Sequence, residues 1–175
     1  MNLGVAPNRD GLVCEVDARA LDVFGGTLRA LFAVNYAAGA VASADAVRAW
    51  QPETGKSHPY APANVLDGDR YSYWATDDGV TNATLTLTLP ALAAFNVIRL
   101  RENIKLGHRV DGFAVDVWQD DAWKEYASGQ SIGACRLLRG PKVKSDRVRL
   151  RVTRAAACPC ISDFGLFLTP ATLSP

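Results

Sequence analysis

The stretch Arg147-Val-Arg-Leu-Arg-Val-Thr153 alternates a polar with an apolar side chain at every step. An extended strand sends successive side chains to opposite faces, so one face of this segment must lie on a core and the other toward solvent. A second run, Ala83-Thr-Leu-Thr-Leu-Thr-Leu89, keeps the same period with Leu inward and Thr outward, and is expected to stop at Pro90, which cannot donate to a ladder. Residues 95–101, 110–118, 123–127, 131–138 and 164–168 repeat the alternation more loosely. One helical pattern precedes them: Val16, Leu21, Phe24, Leu28, Leu31 and Phe32, mostly three or four apart within residues 13–34. Gly25-Gly26 weakens it by about 1 kcal/mol each relative to Ala. Short strands between Asp-, Gly- and Pro-rich turns predict a mainly β chain, an antiparallel jelly-roll β-sandwich with an N-terminal amphipathic helix packed on it. The Ala/Gly-rich residues 37–43 read as a linker.

With 175 residues there is room for one domain, or one with an appendage. Nineteen Lys and Arg against eighteen Asp and Glu leave a net charge of +1, which gives no global field for nucleic acid or an anionic membrane. Neither partner is expected. No aromatic stacking platform is legible among the strand arginines, and no apolar spikes stand out. No run approaches about 18 apolar residues, and the first residues show no basic segment leading into an apolar one, so neither a span nor a secretory signal is expected. The chain as it stands reads as cytoplasmic, although a longer parent protein is open to export. Cys14, Cys135, Cys158 and Cys160 form no zinc spacing. They read as reduced, largely buried thiols, with a bridge from Cys135 to Cys158 or Cys160 as the alternative.

Asp supplies 14 of the 18 acids, and Asp is the acid of turns and oxygen-rich cation sites. The segment Ala63-Asn-Val-Leu-Asp-Gly-Asp-Arg-Tyr-Ser-Tyr-Trp74-Ala-Thr concentrates this chemistry. Asp67-Gly68-Asp69 is a turn that gathers carboxylates and carbonyls, with the Ser72 hydroxyl following. Calcium takes six to eight such oxygens at about 2.3–2.6 Å; a plain Asx-turn entering a strand uses the same residues.

This segment, the alternating strands and the ending Ile161-Ser-Asp-Phe-Gly-Leu-Phe167 resemble the coagulation factor 5/8 type C, or discoidin-like, domains, which include the family 32 carbohydrate-binding modules. The resemblance covers roughly residues 38–168. It implies one structural calcium held by the Asn64 carbonyl, the Asp67 carboxylate, the Asp69 carbonyl, the Ser72 carbonyl and hydroxyl, the Ser162 carbonyl and the Asp163 carboxylate. Ser72 replaces the commoner Thr and Asp163 the commoner Glu. It also implies that Trp74 is a core residue.

A narrower resemblance spans nearly the whole chain. Leu3-Gly-Val-Ala-Pro-Asn-Arg-Asp-Gly-Leu12 and the block Phe95-Asn-Val-Ile-Arg-Leu-Arg-Glu-Asn-Ile-Lys-Leu-Gly-His-Arg-Val-Asp-Gly-Phe113 are similar to segments of glycoside hydrolase family 29 α-L-fucosidases, with His108 where Gln is usual. This implies a barrel-exit segment and linker helix over residues 1–37, a discoidin-like sandwich over 38–168 and a tail over 169–175. The chain is then the non-catalytic accessory part of such an enzyme, with the catalytic barrel as its neighbour. A retaining glycosidase needs two carboxyl groups about 5–5.5 Å apart, the family's nucleophile lies on a barrel strand, and a barrel takes about 250 residues. Asp77-Asp78 and Asp120-Asp121 read as solvated loop acids. No catalytic residue is therefore expected.

Sugar recognition asks for an aromatic face and side chains that bond hydroxyls in pairs, on loops at one end of the sandwich. The candidates are His58 and Tyr60 in one loop, and Arg101, Glu102, Asn103, His108 and Arg109 in another. They read either as contacts to a fucosylated or galactosylated glycan or as a surface docked on the barrel, with Glu102 bonding to the barrel or the sugar. Without a barrel, the N-terminal helix is expected to form a homodimer.

Overall fold

A computed structural model of the chain describes residues 7–51 and 57–171. The chain divides into two compact units, Met1–Val34 with Thr169–Pro175, and Asn35–Leu168. The first contains α1 (Glu15–Leu31), shorter at both ends than the apolar spacing reaches. Gly25 and Gly26 remain helical within it. No residue of α1 is buried, and Val16 and Val23 are 74% and 70% exposed. Ahead of it, Asn8 closes a turn by accepting the Asp10 and Leu12 amides at 3.0 and 2.8 Å.

Among the described residues the second unit holds seven strands: β1 (Val41–Ala44), β2 (Trp74–Ala75), β3 (Ala83–Glu102), β4 (Val110–Gln119), β5 (Ala122–Gly129), β6 (Arg136–Ala155) and β7 (Cys160–Phe167). All pair antiparallel in the order β2-β7-β3-β6-β4-β5, with β1 on β3. The twenty-residue strands β3 and β6 organise the unit, because each changes neighbours halfway. The first half of β3 lies beside β1 and the second half beside β7, while only the later half of β6 pairs with β4. Leu85, Leu87, Ile98, Leu100, Val115, Val148, Leu150, Phe164 and Leu166 are fully buried in one cluster fed by both halves, which gives the unit its sandwich-like character.

Two strand limits differ from the sequence reading. Pro90 does not end its strand: β3 continues through it, and a register shift between Thr88 and Ala93 absorbs the missing donor. Residues 131–135 are not extended; the strand begins at Arg136 and runs into the arginine-rich segment. The expected linker runs into β1, and Trp74-Ala75 pairs with β7. Trp74 is fully buried and donates from Nε1 to the Ala46 carbonyl at 2.9 Å.

The arginine face of β6 is not simply solvated. Arg149 and Arg151 converge on Asp116, which is 2% exposed, with Nε–Oδ2 distances of 2.6 and 2.7 Å. Burial works against that charge, but the two guanidinium groups outweigh it and hold Asp116 below the usual carboxylate range. Arg147 and Arg149 stack at 4.0 and 4.5 Å over Trp118 and Trp123, which pair across the β4–β5 hairpin. Aromatic rings are thus interleaved with these arginines, contrary to the sequence reading. Asp120 and Asp121 form the two-residue hairpin turn at φ 52° and 56°, the left-handed pair that matches strand twist.

Candidate functional site

Several loops of the second unit converge beside β2. The Trp74 indole holds Ala46, the Ala75 carbonyl accepts the Arg48 amide at 2.7 Å, and Asp77 Oδ1 accepts the Ala49 amide at 2.8 Å. These bonds fix residues 46–49 alongside β2 and aim the Arg48 guanidinium at Asp78, which it grips through two bonds of 2.7 and 3.2 Å. The hydrogen bond and charge of Arg48 hold Asp78 below the usual carboxylate range, and Asp78 in turn raises Arg48. The Asp78 side chain is nonetheless 79% exposed.

This pair forms one wall of a 240 Å³ pocket completed by Tyr60, Tyr73, Ala75, Leu106, Arg109, Cys158 and Cys160. Tyr60 lies 5.5 Å from the Arg48 guanidinium and is tilted against Tyr73 at 5.7 Å. Burial, then the neighbouring Tyr60, raises the Tyr73 phenol. His58 stands behind Tyr60, accepting its amide on Nδ1 at 3.1 Å and packing 5.2 Å from Trp50. Opposite, Arg109 donates from Nη1 to the Cys158 carbonyl at 3.0 Å and lies 2.9 Å from Cys158 Sγ and 3.4 Å from Cys160 Sγ. Burial pushes the Cys160 thiol up to about 12, beyond what the Arg109 charge offsets. The pocket therefore offers an exposed carboxylate, guanidinium groups, phenols and an aromatic face. Among the described residues Asp78 is the one carboxylate in its lining.

Of the expected sugar or docking residues, Tyr60 and Arg109 line this pocket and His58 supports it. Glu102 has a different role from the one its sequence context implied. It is 3% exposed, with Oε1 accepting the Arg109 and Val110 amides at 2.8 and 3.0 Å and Oε2 the Gly133 amide at 2.7 Å. Its acceptors are occupied within the domain because the 103–109 turn folds back over it, helped by Gly107 at φ 90°. Asn103, 4% exposed, donates to the Tyr71 carbonyl at 3.0 Å. His108 Nε2 lies 3.0 Å from Ser131 Oγ and 3.7 Å from Glu102 Oε2. Arg101 lines a separate hollow.

The expected calcium ligands are brought together in part. Ser72 Oγ lies 2.6 Å from Asp67 Oδ2, 3.1 Å from the Asp69 carbonyl and 3.4 Å from the Asn64 carbonyl. Asp67 and Asp69 each also accept the amide two residues on, as Asx-turns do. Asp163 is committed elsewhere: both its oxygens are on Arg99, at 2.6 and 3.1 Å, because the β3–β7 register sets the two diagonally on one face. The Ser162 hydroxyl reaches the Arg101 carbonyl at 3.5 Å. Among the described residues, no three His, Cys, Asp or Glu side chains are placed to hold a metal ion. All four cysteines are free; Cys14 and Cys135 are exposed rather than buried, and the alternative bridge is not formed.

Arg48, Asp78 and Tyr73 were not singled out as binding residues in the sequence, and Asp78 read as a solvated acid. The cysteines read as bland thiols. The Cys158-Pro-Cys160 spacing was the one visible sign that the loop before β7 turns tightly enough to present two sulfurs together.

Over 94% of its length the chain is 36% identical to 31% of a protein from Oryza sativa subsp. japonica named as an α-L-fucosidase. Its homologues are α-L-fucosidases. The chain spans about a third of the length of the curated relatives it matches. No family model matches. A glycoside hydrolase family 29 fucosidase of Ruminococcus gnavus, solved with fucose, superposes with a TM-score of 0.81 at 27% identity, over 98% of this chain and 34% of that one. A chitosan-binding module from a Paenibacillus sp. IK-5 chitosanase/glucanase shares the fold, with a TM-score of 0.64 at 15% identity over 76% of this chain and 98% of that one. The similarity to fucosidases is thus to a β-rich third of those enzymes. No helix among the described residues is long and apolar enough to cross a membrane.

Proposed function

We propose that the chain is the C-terminal, discoidin-like accessory part of an α-L-fucosidase-type glycosidase, and that it binds a fucosylated or galactosylated glycan without cleaving it. The observation that carries this reading is the Arg48–Asp78 fork beside Tyr60 and Tyr73. A guanidinium and an exposed carboxylate, already aligned, can bond adjacent sugar hydroxyls while an aromatic face covers the ring. Asp78→Ala removes the acceptor and frees Arg48. Titration of the labelled chain with L-fucose and D-galactose is expected to shift the amides of residues 48, 60, 73 and 78 at millimolar sugar, with a loss of about tenfold in affinity in Asp78→Ala. Flat titrations with both sugars would refute the reading.

The second reading, docking on a catalytic barrel, is favoured by Ile104 and Leu106, which are 44% and 40% exposed on the 103–107 turn. Those two apolar side chains also stand where the sequence showed no spikes. Ile104→Asp, at the residue of the pair that does not line the sugar pocket, should then abolish co-purification with a separately expressed barrel while leaving sugar titrations intact. In either case the Asn64, Asp67, Asp69 and Ser72 oxygens are assigned to a structural calcium, whose part is to pin the 64–72 loop.

A further inference from the structure

We propose a second binding site in this domain, for an oxyanion, in the hollow on the other side of the 104–106 turn. Ile104 and Lys105 line this hollow, whereas Leu106 lines the pocket just described, so one short turn separates the two. The hollow has a volume of 180 Å³ and carries three cations, Arg70, Arg101 and Lys105, around Tyr71. The Lys105 ammonium lies 3.5 Å from the Tyr71 ring centroid and the Arg70 guanidinium 6.0 Å from it.

Three observations separate this cluster from an ordinary basic surface. First, among the described residues none of the three cations is ion-paired, although Arg48, Arg99, Arg149 and Arg151 all are. Second, the acid in the lining, Glu102, accepts three backbone amides and forms no ion pair with Arg70, Arg101 or Lys105 among the described residues. Third, Arg101 Nε is buried and no acceptor among the described residues reaches it. A buried N–H normally finds a partner, and a guanidinium donor is best matched by a carboxylate, sulfate or phosphate oxygen. The site therefore selects a small oxyanion, seated on Arg101 with Lys105 and Arg70 at its rim.

The neighbouring pocket indicates what carries the anion. A glycan bound at Tyr60 and Asp78 would cross the 104–106 turn and place an acidic group, a sugar carboxylate or sulfate ester, over Arg101. This extension rests on the sugar reading above; the oxyanion site does not.

The test is a titration of the full ¹⁵N-labelled chain, reading the arginine Nε–Hε resonances, with sodium sulfate against sodium chloride at matched ionic strength. Arg101 should shift saturably with sulfate and not with chloride. Arg70→Gln and Lys105→Gln should each weaken sulfate by about tenfold with only the small drop in melting temperature expected from losing a contact to the Tyr71 ring, since neither side chain holds an ion-pair partner among the described residues. A linear, chloride-like response, or binding indifferent to both substitutions, overturns the site. Galactose 6-sulfate binding at least tenfold more tightly than inorganic sulfate would support a saccharide carrier, and equal affinity would overturn the saccharide extension alone. Asp78→Ala separates the two readings: it should weaken galactose binding, read at residue 73, by about tenfold while leaving the Arg101 response to sulfate intact.

Discussion

Replacing Glu102 by Gln changes little in volume and removes one acceptor from a buried site that uses both. In the native domain one oxygen takes two amides, from Arg109 and Val110, and the other takes Gly133. Glutamine can keep its carbonyl toward Arg109 and Val110, but its NH2 then faces the Gly133 N–H, donor against donor. A hydrogen bond to a charged acceptor contributes about 1.5–3 kcal/mol, and a stranded buried donor costs about 1–3 kcal/mol. The reverse orientation strands two amides, so it is worse. The expected loss is about 3 kcal/mol, or roughly 6–12 °C in melting temperature at the usual 2–4 °C per kcal/mol for a chain of this size. Urea unfolding gives the free energy, and hydrogen exchange at Arg109, Val110 and Gly133 locates it. Glu125→Gln is the control: its partner Arg151 lies 3.2 Å away, its side chain is 53% exposed, and the expected loss is under about 1 kcal/mol. If Glu102→Gln costs no more than that control and the three amides stay protected, the reasoning about Glu102 is wrong.

Asp116 governs acid stability. Its folded pKa lies below the unfolded value of about 3.9, so its contribution is present above that pH and is lost as pH falls through the folded value. Urea midpoints from pH 6 down to 2 should fall less steeply in Asp116→Asn, which should itself cost about 2–4 kcal/mol at neutral pH. Arg149 and Arg151, 28% and 33% exposed, keep some solvent, which holds that figure below the full buried-pair cost. Millimolar calcium should raise the melting temperature relative to chelator, by about 2.7 kcal/mol of stability at a hundredfold excess over Kd, and Asp67→Asn should abolish the effect. At pH 8 a thiol reagent should label Cys14 and Cys135 in a fast phase and Cys160 far more slowly, its thiol being buried and shifted to about 12; a fast phase that survives replacement of Cys14, Cys135 and Cys158 by Ser would contradict this.

The alternation of Thr with Leu at 83–89 and of Arg with Val or Leu at 147–153 marked two strands that do bury their apolar faces, because a period of two leaves no other regular backbone. What alternation could not mark is where a strand stops. β3 passes through Pro90 because the neighbouring register can slip, which is a tertiary event. β1 and β2 are too short to show a period at all. What is local was legible: Ser72 meets Asp67 and Asp69, the residues its spacing singled out, within one loop. Arg48 and Asp78 are thirty residues apart, joined only after Trp74 and Asp77 pin both segments, and nothing in either segment alone points to the other. Glu102 stood out in sequence for a real reason, but residue identity does not reveal whether a carboxylate faces outward or holds its own loop.

The net charge of +1 also conceals more than it tells. A near-balance of acids and bases argues against a strong overall field, yet binding depends on where the charges are placed. Here Asp116 and Asp163 are both used against strand arginines, and Glu102 is used against backbone amides. Asp67 and Asp69 are used inside their own loop. With the acids so committed, Arg70, Arg101 and Lys105 share one hollow with Glu102, and among the described residues none of the three is ion-paired. A local positive field then follows from the fold, in a chain whose composition is neutral. The same logic explains why the adjacent pocket differs: there Asp78 stays exposed on Arg48, so that surface offers a donor and an acceptor together and suits hydroxyls rather than anions.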